Sequence, residues 1–211
     1  VMLEKLKNVT LYLGSSLSTE DILEFSADDK FGFSHVFLAT GATWRRDGIA
    51  RENREPIPGL EHVSVLTADD LMLGVSAHGK VVIFDDEHYY MGGVLAEKLR
   101  LDGHDVRLVT PAPDISTWTH NTMEQGHIQK KLLELGVELI PHHNLASVHP
   151  GAVELACVFT DRRVRHACDT LVLVTERLPN DDLYRAMRAD PAGIAKSGLK
   201  TIQCIGDCLA P

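Results

Sequence analysis

The sequence predicts an α/β fold, a parallel sheet with a smaller antiparallel β element, in which a middle domain is inserted into a partial outer domain. Three observations carry that expectation. Apolar runs of four to six residues alternate with helical periodicity between residues 80 and 140, the pattern of β-α-β units with parallel strands and right-handed crossovers. Two strand ends built from small residues, Val36-Phe-Leu-Ala-Thr-Gly-Ala42 and Ile205-Gly-Asp-Cys208, lie at opposite ends of the chain. Two short runs separated by a polar turn, 153–159 and 163–167, supply the antiparallel element.

In order along the chain, Asn8-Val-Thr-Leu-Tyr-Leu13 reads as a strand and Ser18-Thr-Glu-Asp-Ile-Leu23 opens like a capped helical turn. A strand at 35–40 follows. The stretch 44–59, rich in Arg, Glu, Asn and Pro and ending in Pro56-Ile-Pro-Gly59, is a crossover loop or linker by composition. Thr67-Ala-Asp-Asp-Leu71 resembles a helix N-cap, with acids in the first turn where the helix dipole favours them. From Lys80 a new unit starts. It runs through Val81-Val-Ile-Phe84 as an apolar strand, a helix at 92–101, a strand at 105–110, a helix at 122–135 stopped by Gly136, and a strand at 137–140. The antiparallel pair comes next, then a buried strand at 169–175 and a return strand at 201–206. This order gives an outer domain from 1–72 and 177–211, with an inserted domain at 73–176. The outer domain would carry its first glycine-rich turn near the N-terminus, yet no G-x-G-x-x-G occurs before Lys80.

Composition narrows the function. The chain has 211 residues with 44% apolar and 24% charged, ordinary for a globular protein with a sizeable core. A formal net charge of −9 argues against nucleic acid as a partner, since phosphate-backbone binding needs a basic face. No run approaches the roughly 20 apolar residues that span a bilayer, and Val1-Met-Leu-Glu-Lys-Leu-Lys7 lacks a signal-peptide core. No membrane role is expected, and a cytoplasmic location is. The four cysteines, Cys157, Cys168, Cys204 and Cys208, include no C-x-x-C pair. Free thiols packed in strands are the expectation, because an iron–sulfur cluster needs a set of four ligands.

The chemistry-bearing positions are few. The turn after Val81-Val-Ile-Phe84 should hold dinucleotide glycines, but it reads Asp85-Asp-Glu-His-Tyr-Tyr-Met-Gly92-Gly93. Carboxylates there would repel a pyrophosphate, and the next strand ends at Thr110-Pro111 without the acid that holds a ribose hydroxyl. The run is read as a solvated acidic loop rather than a divalent-metal site. Of eleven histidines, His142-His143 are adjacent and His120 and His127 are seven apart, neither being the i, i+4 pair of a helical zinc site. No serine or cysteine sits in a nucleophile elbow, so neither catalytic nor metal-ligating residues are assigned. Trp44, Trp118, Tyr89 and Tyr90 are read as packing residues. What remains is the pair of strand ends. The strand at 201–205 is expected beside 36–40, so Gly41 and Gly206 would open on one crevice at the carboxyl edge of the sheet. Backbone N–H groups can there approach a phosphate, and the Asp207 carboxylate can face a sugar hydroxyl.

The ordered set Ala39-Thr-Gly-Ala-Thr-Trp44, Pro56-Ile-Pro-Gly59, Val81-Val-Ile83 with Leu95-Ala-Glu-Lys-Leu99, Gly103-His-Asp-Val106, Leu171-Val-Leu-Val-Thr175 and Ile205-Gly-Asp207 resembles the C-terminal part of the trimethylamine dehydrogenase family. That family includes dimethylamine and histamine dehydrogenases and the related 2,4-dienoyl-CoA reductases. The glycine-poor turn at 84–93 is similar to the amine dehydrogenase branch, whose middle domain has lost dinucleotide binding. The resemblance implies a Rossmann-like FAD/NAD(P)-binding fold holding ADP or FAD. It places an FMN barrel and a [4Fe–4S] cluster in an N-terminal part missing from this sequence, so the chain reads as an inactive fragment. It also implies Thr40, Gly41 and Ala42 near the nucleotide's phosphates or ribose, with Gly206 and Asp207 closing the same site. Beyond the nucleotide, the implied partners are that barrel, an electron-transfer protein and further copies in a homo-oligomer. The expected function is the nucleotide-binding region of a multi-cofactor flavin oxidoreductase. The alternative is a non-catalytic interaction or assembly module that keeps the fold without nucleotide. A small pyridine-nucleotide disulfide reductase is disfavoured, lacking both a redox cysteine pair of that type and dinucleotide glycines.

Overall fold

The computed structural model describes residues 3–28, 32–160 and 162–211. Along the chain run α1 (Thr19–Ala27), β1 (His35–Leu38), β2 (Ala42–Trp44), β3 (Ser64–Thr67), α2 (Ala68–Met72), β4 (Lys80–Asp85), α3 (Met91–Leu101), β5 (Asp105–Val109), α4 (Gln125–Glu134), β6 (Glu138–Ile140), β7 (His143–His149), β8 (Ala152–Cys157), β9 (Arg163–Ala167), β10 (Thr170–Val174), β11 (Arg177–Pro179), α5 (Asp182–Ala189), α6 (Pro191–Ser197) and β12 (Thr201–Cys204). They divide into two compact units, one of Val1–Ala42 with Pro179–Pro211 and one of Thr43–Leu178. No helix among the described residues is long and apolar enough to cross a membrane.

The larger unit is built on a five-stranded sheet of order β3-β10-β4-β5-β6, every pair of which is parallel. Its central strands read as continuous apolar runs because both their faces are covered. Side chains alternate across the sheet. Val81, Ile83, Val172 and Val174 pack with Leu95, Ala96 and Leu99 of α3 and Leu132 of α4. Val82, Phe84, Leu171 and Leu173 face Leu145, Val153 and Leu155 of a three-stranded antiparallel sheet β7-β8-β9. Helices thus cover one face and a second sheet the other, and burying a side chain such as Phe84 contributes about 1.5–3 kcal/mol.

The structure differs from the sequence reading at several places. Residues 43–72 belong to this larger unit, although 1–72 was expected in the outer domain. The cause is β10, whose second flank pairs with β3 from Ser64 to Thr67 while Leu66, Ala68 and Leu71 enter the helix-side core. The polar stretch 44–59 is likewise no free linker, for Trp44, Ala50 and Ile57 are buried. The expected helix at 122–135 is cut by Met123 at φ 60, leaving a 3-10 turn (Thr117–Thr122) before α4. The antiparallel pair gains a third strand, β7, with a register shift between Leu145 and Ser147.

In the smaller unit β1 and β12 pair in parallel. Asn8-Val-Thr-Leu-Tyr-Leu13, expected as a strand, carries no regular structure from Val9 to Tyr12. Its apolar alternation lacks a ladder, because among the described residues the sheet consists of β1 and β12 alone. The helix α1 starts where Ser18 and Asp21 form a capping box, Ser18 N–H donating to Asp21 Oδ2 at 2.8 Å and Asp21 N–H to Ser18 Oγ at 3.2 Å. Helices α5 and α6, which the sequence reading left unassigned, close the unit's core through Met187 and Ile194 against Ile22, Val36 and Leu199. The start of α6 carries ordinary signals, Pro191 at its first turn and Asp190 accepting from Gly193 N–H at 2.9 Å.

Candidate functional site

The register of the β1–β12 ladder sets Leu38 opposite Cys204, and Ile205 N–H donates to the Leu38 carbonyl at 2.9 Å. Both strands therefore end at one level, and the turns Thr40-Gly41 and Gly206-Asp207 leave from the same edge. Gly41 has φ 74 and Gly206 φ 61, left-handed values that glycine adopts freely. A methyl group on either would meet nothing within 4 Å, so conformation and not crowding by the chain requires glycine there. Asp207 and Thr40 are exposed and Ala42 half-buried at the start of β2. The Thr40 hydroxyl lies 2.5 Å from the Asn180 carbonyl oxygen and 3.0 Å from Cys208 Sγ, while Asn180 Nδ2 donates to the Thr40 carbonyl at 3.1 Å and Asn180 N–H to that of Gly41 at 2.9 Å. These bonds clamp the first turn.

The structure thus brings Thr40, Gly41, Gly206 and Asp207 to one ladder end, within a single unit. Sequence reasoning passed over Asn180 and treated Cys208 as a strand-packing thiol. The available signal was the Pro179-Asn180 pair after a short strand, since asparagine bonds readily to nearby backbone.

At the carboxyl edge of the larger unit's sheet, the acidic run is not a solvated loop. Asp85 and Asp86 are wholly buried. Asp85 Oδ1 accepts N–H groups of His88 at 2.9 Å and Glu87 at 3.1 Å, and a methyl group on Gly92 would overlap Asp85 Oδ2. The carboxyl therefore sits against the first turn of α3, where a bound anion is stabilised in folds of this kind. Burial pushes its pKa up to about 6, against the lowering by the His88 and Glu87 backbone N–H groups. Asp86 Oδ2 accepts Glu52 N–H at 2.9 Å. His88 Nε2 stands 3.1 Å from Asp86 Oδ1 outside hydrogen-bond alignment, leaving that oxygen buried without a hydrogen-bond partner, and His88 Nδ1 is 3.2 Å from Thr110 Oγ1. These carboxylates are buried because backbone donors from residues 52 and 87–88 meet them, which a local reading of charge does not reveal. Among the described residues no group of three or more His, Cys, Asp or Glu is placed to hold a metal ion.

The aromatic residues pack within the chain. Arg51 lies over the Trp118 ring at 4.1 Å, the Tyr89 and Tyr90 rings meet at a 54° tilt with centroids 4.2 Å apart, and Trp44 is buried in the helix-side core.

Residues 66–175, just over half the chain, match the family model described as OYE-like second alpha/beta domain. The chain belongs to that family. The OYE-like chain is homologous to dimethylamine dehydrogenase of Hyphomicrobium sp. (strain x), 33% identical over an alignment of 211 residues that takes in 88% of this chain and 28% of the relative. The structure of histamine dehydrogenase from Rhizobium sp. 4-9 superposes with a TM-score of 0.92 and 39% identity, covering 99% of this chain and 32% of that one. The 6-hydroxypseudooxynicotine amine oxidase of Pseudomonas geniculata N1 superposes with a TM-score of 0.91 and 38% identity, over 99% and 30%. The OYE-like chain thus spans about a third of these relatives, and the family is one of oxidoreductases.

Proposed function

We propose that this chain is the nucleotide-binding region of a multi-cofactor flavin oxidoreductase of the amine dehydrogenase type, with a Rossmann-like fold that takes ADP or FAD at the end of the β1–β12 ladder. The observation that carries the reading is the shared edge. The Leu38–Cys204 register brings two left-handed, uncrowded glycines, Gly41 and Gly206, to one side of one sheet, followed directly by the Asp207 carboxylate. The residues present fit part of a nucleotide site. Gly41 and Gly206 offer backbone that a phosphate can approach, and Asp207 offers an acceptor for a ribose hydroxyl. Thr40 holds the turn, since its hydroxyl is engaged with Asn180 and Cys208. Bound FAD would supply electron transfer, whereas ADP would be an anchor only. FMN and a [4Fe–4S] cluster rest on the family resemblance alone, and no step here passes through them. The donors of this chain do not fit a cluster among the described residues. Docking of an electron-transfer protein and assembly as a homo-oligomer are proposals on the same resemblance.

Nucleotide content of the purified chain, released by heat and identified by chromatography, together with calorimetric titration of ADP and FAD, tests the reading. Stoichiometric binding is expected, and Asp207→Ala should weaken it by about 1–3 kcal/mol, on the order of tenfold to a hundredfold. Absence of binding by both nucleotides would favour the assembly-module alternative, for which the exposed Phe37 of β1 offers an apolar contact surface.

A further inference from the structure

The strand β12 ends in Cys204, and the 3-10 turn Gly206–Cys208 brings the second thiol back over that end. Gly206 at φ 61 makes the reversal, and Leu209 N–H closes it by donating to the Gly206 carbonyl at 2.9 Å. The two thiols are close enough to influence each other's ionisation. Cys208 Sγ is buried 3.0 Å from the Thr40 hydroxyl and 3.4 Å from the Asn180 carbonyl, while Cys204 is half-buried. The pair is chemically unequal. The Thr40 hydroxyl lowers the Cys208 pKa, whereas burial and the neighbouring sulfur push Cys204 up to about 11. Cys208 is thus the more acidic thiol of the pair. Of the other thiols, Cys168 is fully buried and pushed up to about 12, and Cys157 in the larger unit has its pKa lowered by the Thr160 hydroxyl.

We propose that Cys204 and Cys208 are a reversible redox dithiol, converted by a hydroperoxide to an intramolecular disulfide at the edge where β1 and β12 end. The Cys208 thiolate attacks the terminal peroxide oxygen and the O–O bond breaks. The alkoxide or hydroxide leaves and takes up a proton, so that Cys208 carries a sulfenic acid. The Cys204 sulfur then attacks Cys208 Sγ, the S–S bond forms, and the departing hydroxide leaves as water with the Cys204 proton. In sum the two thiols lose two protons and two electrons, and the hydroperoxide is reduced to an alcohol (or water) and one water. The bridge turns Cys208 Sγ away from Thr40 and Asn180, so the state of the pair is felt at the turn that carries Gly41. This inference stands independently of whether ADP or FAD binds there.

The test uses the purified chain carrying Cys157→Ser, which removes the competing thiol. It is treated with one equivalent of hydrogen peroxide, alkylated and cut with trypsin. Cleavage after Lys200 yields the peptide Thr201–Pro211, which holds both cysteines. The expected product is that peptide unalkylated and lighter by two hydrogens, returning to the doubly alkylated form after dithiothreitol. It should form severalfold faster in buffer than in guanidinium. With Cys204→Ser added, the reaction should stop at a Cys208 sulfenic acid trapped by dimedone. A doubly alkylated peptide after peroxide, a disulfide between chains as the sole product, or a rate no greater in buffer than in denaturant would each overturn the proposal, without relying on the fold of any further variant.

Discussion

Asp85 illustrates how one residue can reverse the usual pH dependence of a carboxylate. Its folded pKa of about 6 lies above the unfolded value near 3.8, so the fold prefers the protonated acid. The stability it contributes is fully present below pH 4 and is lost as pH rises through 6, by roughly 3 kcal/mol at 1.36 kcal/mol per unit. Asp47, held low by Arg45, and Asp70, held low by Thr67 N–H and Arg46 against its own burial, act in the opposite sense. Their contribution is present above the unfolded carboxylate range and is lost as pH falls. Asp85→Asn isolates the first effect. Denaturant unfolding between pH 4.5 and 7 should show the unaltered chain losing stability relative to the variant as pH rises, and parallel profiles would remove Asp85 from this role.

At the scale of elements, a close fit joins the end of β4 to the start of α3. Gly92→Ala would drive a methyl group into the buried Asp85 carboxyl and should cost about 1–3 kcal/mol. Adding Asp85→Ala should recover much of that loss in a double-mutant cycle, whereas simple additivity would mean that the two do not touch. In β10, Leu171→Ala should cost about 2–5 kcal/mol, because Leu171 is fully buried against the antiparallel sheet. Strands β4 and β10 were legible because double-sided burial writes itself as an unbroken apolar run. Asn8-Val-Thr-Leu-Tyr-Leu13 shows the limit of that signal: its pattern suits a strand, but strand formation depends on a partner that the pattern does not name. The edges of the candidate site were legible as Gly41 and Gly206, since backbone freedom leaves a residue type behind. Its clamp was not, because Asn180 and Cys208 reach Thr40 across 140 and 168 residues of sequence.

For the whole molecule, the larger unit has a five-stranded sheet covered on both faces, while the smaller rests on a two-stranded ladder. Native-state amide exchange should accordingly be slowest in β4 and β10 and faster in β1 and β12, and equal protection would argue for a single cooperative unit. Titration with NADH should give no stoichiometric micromolar binding, because the chain's own Asp85 carboxyl stands at the first turn of α3. The short ribbon of β2 and β11 has a further consequence. The larger unit begins at Thr43 and ends at Leu178, and these ends lie side by side, with Arg45 N–H donating to the Glu176 carbonyl at 3.0 Å. A body whose entrance and exit share one doorway can be spliced into a host gene, or lifted out and the gap sealed with a short loop, without rerouting either chain end. Such a cassette is free to change its own surface and sites without rerouting the chain of its host.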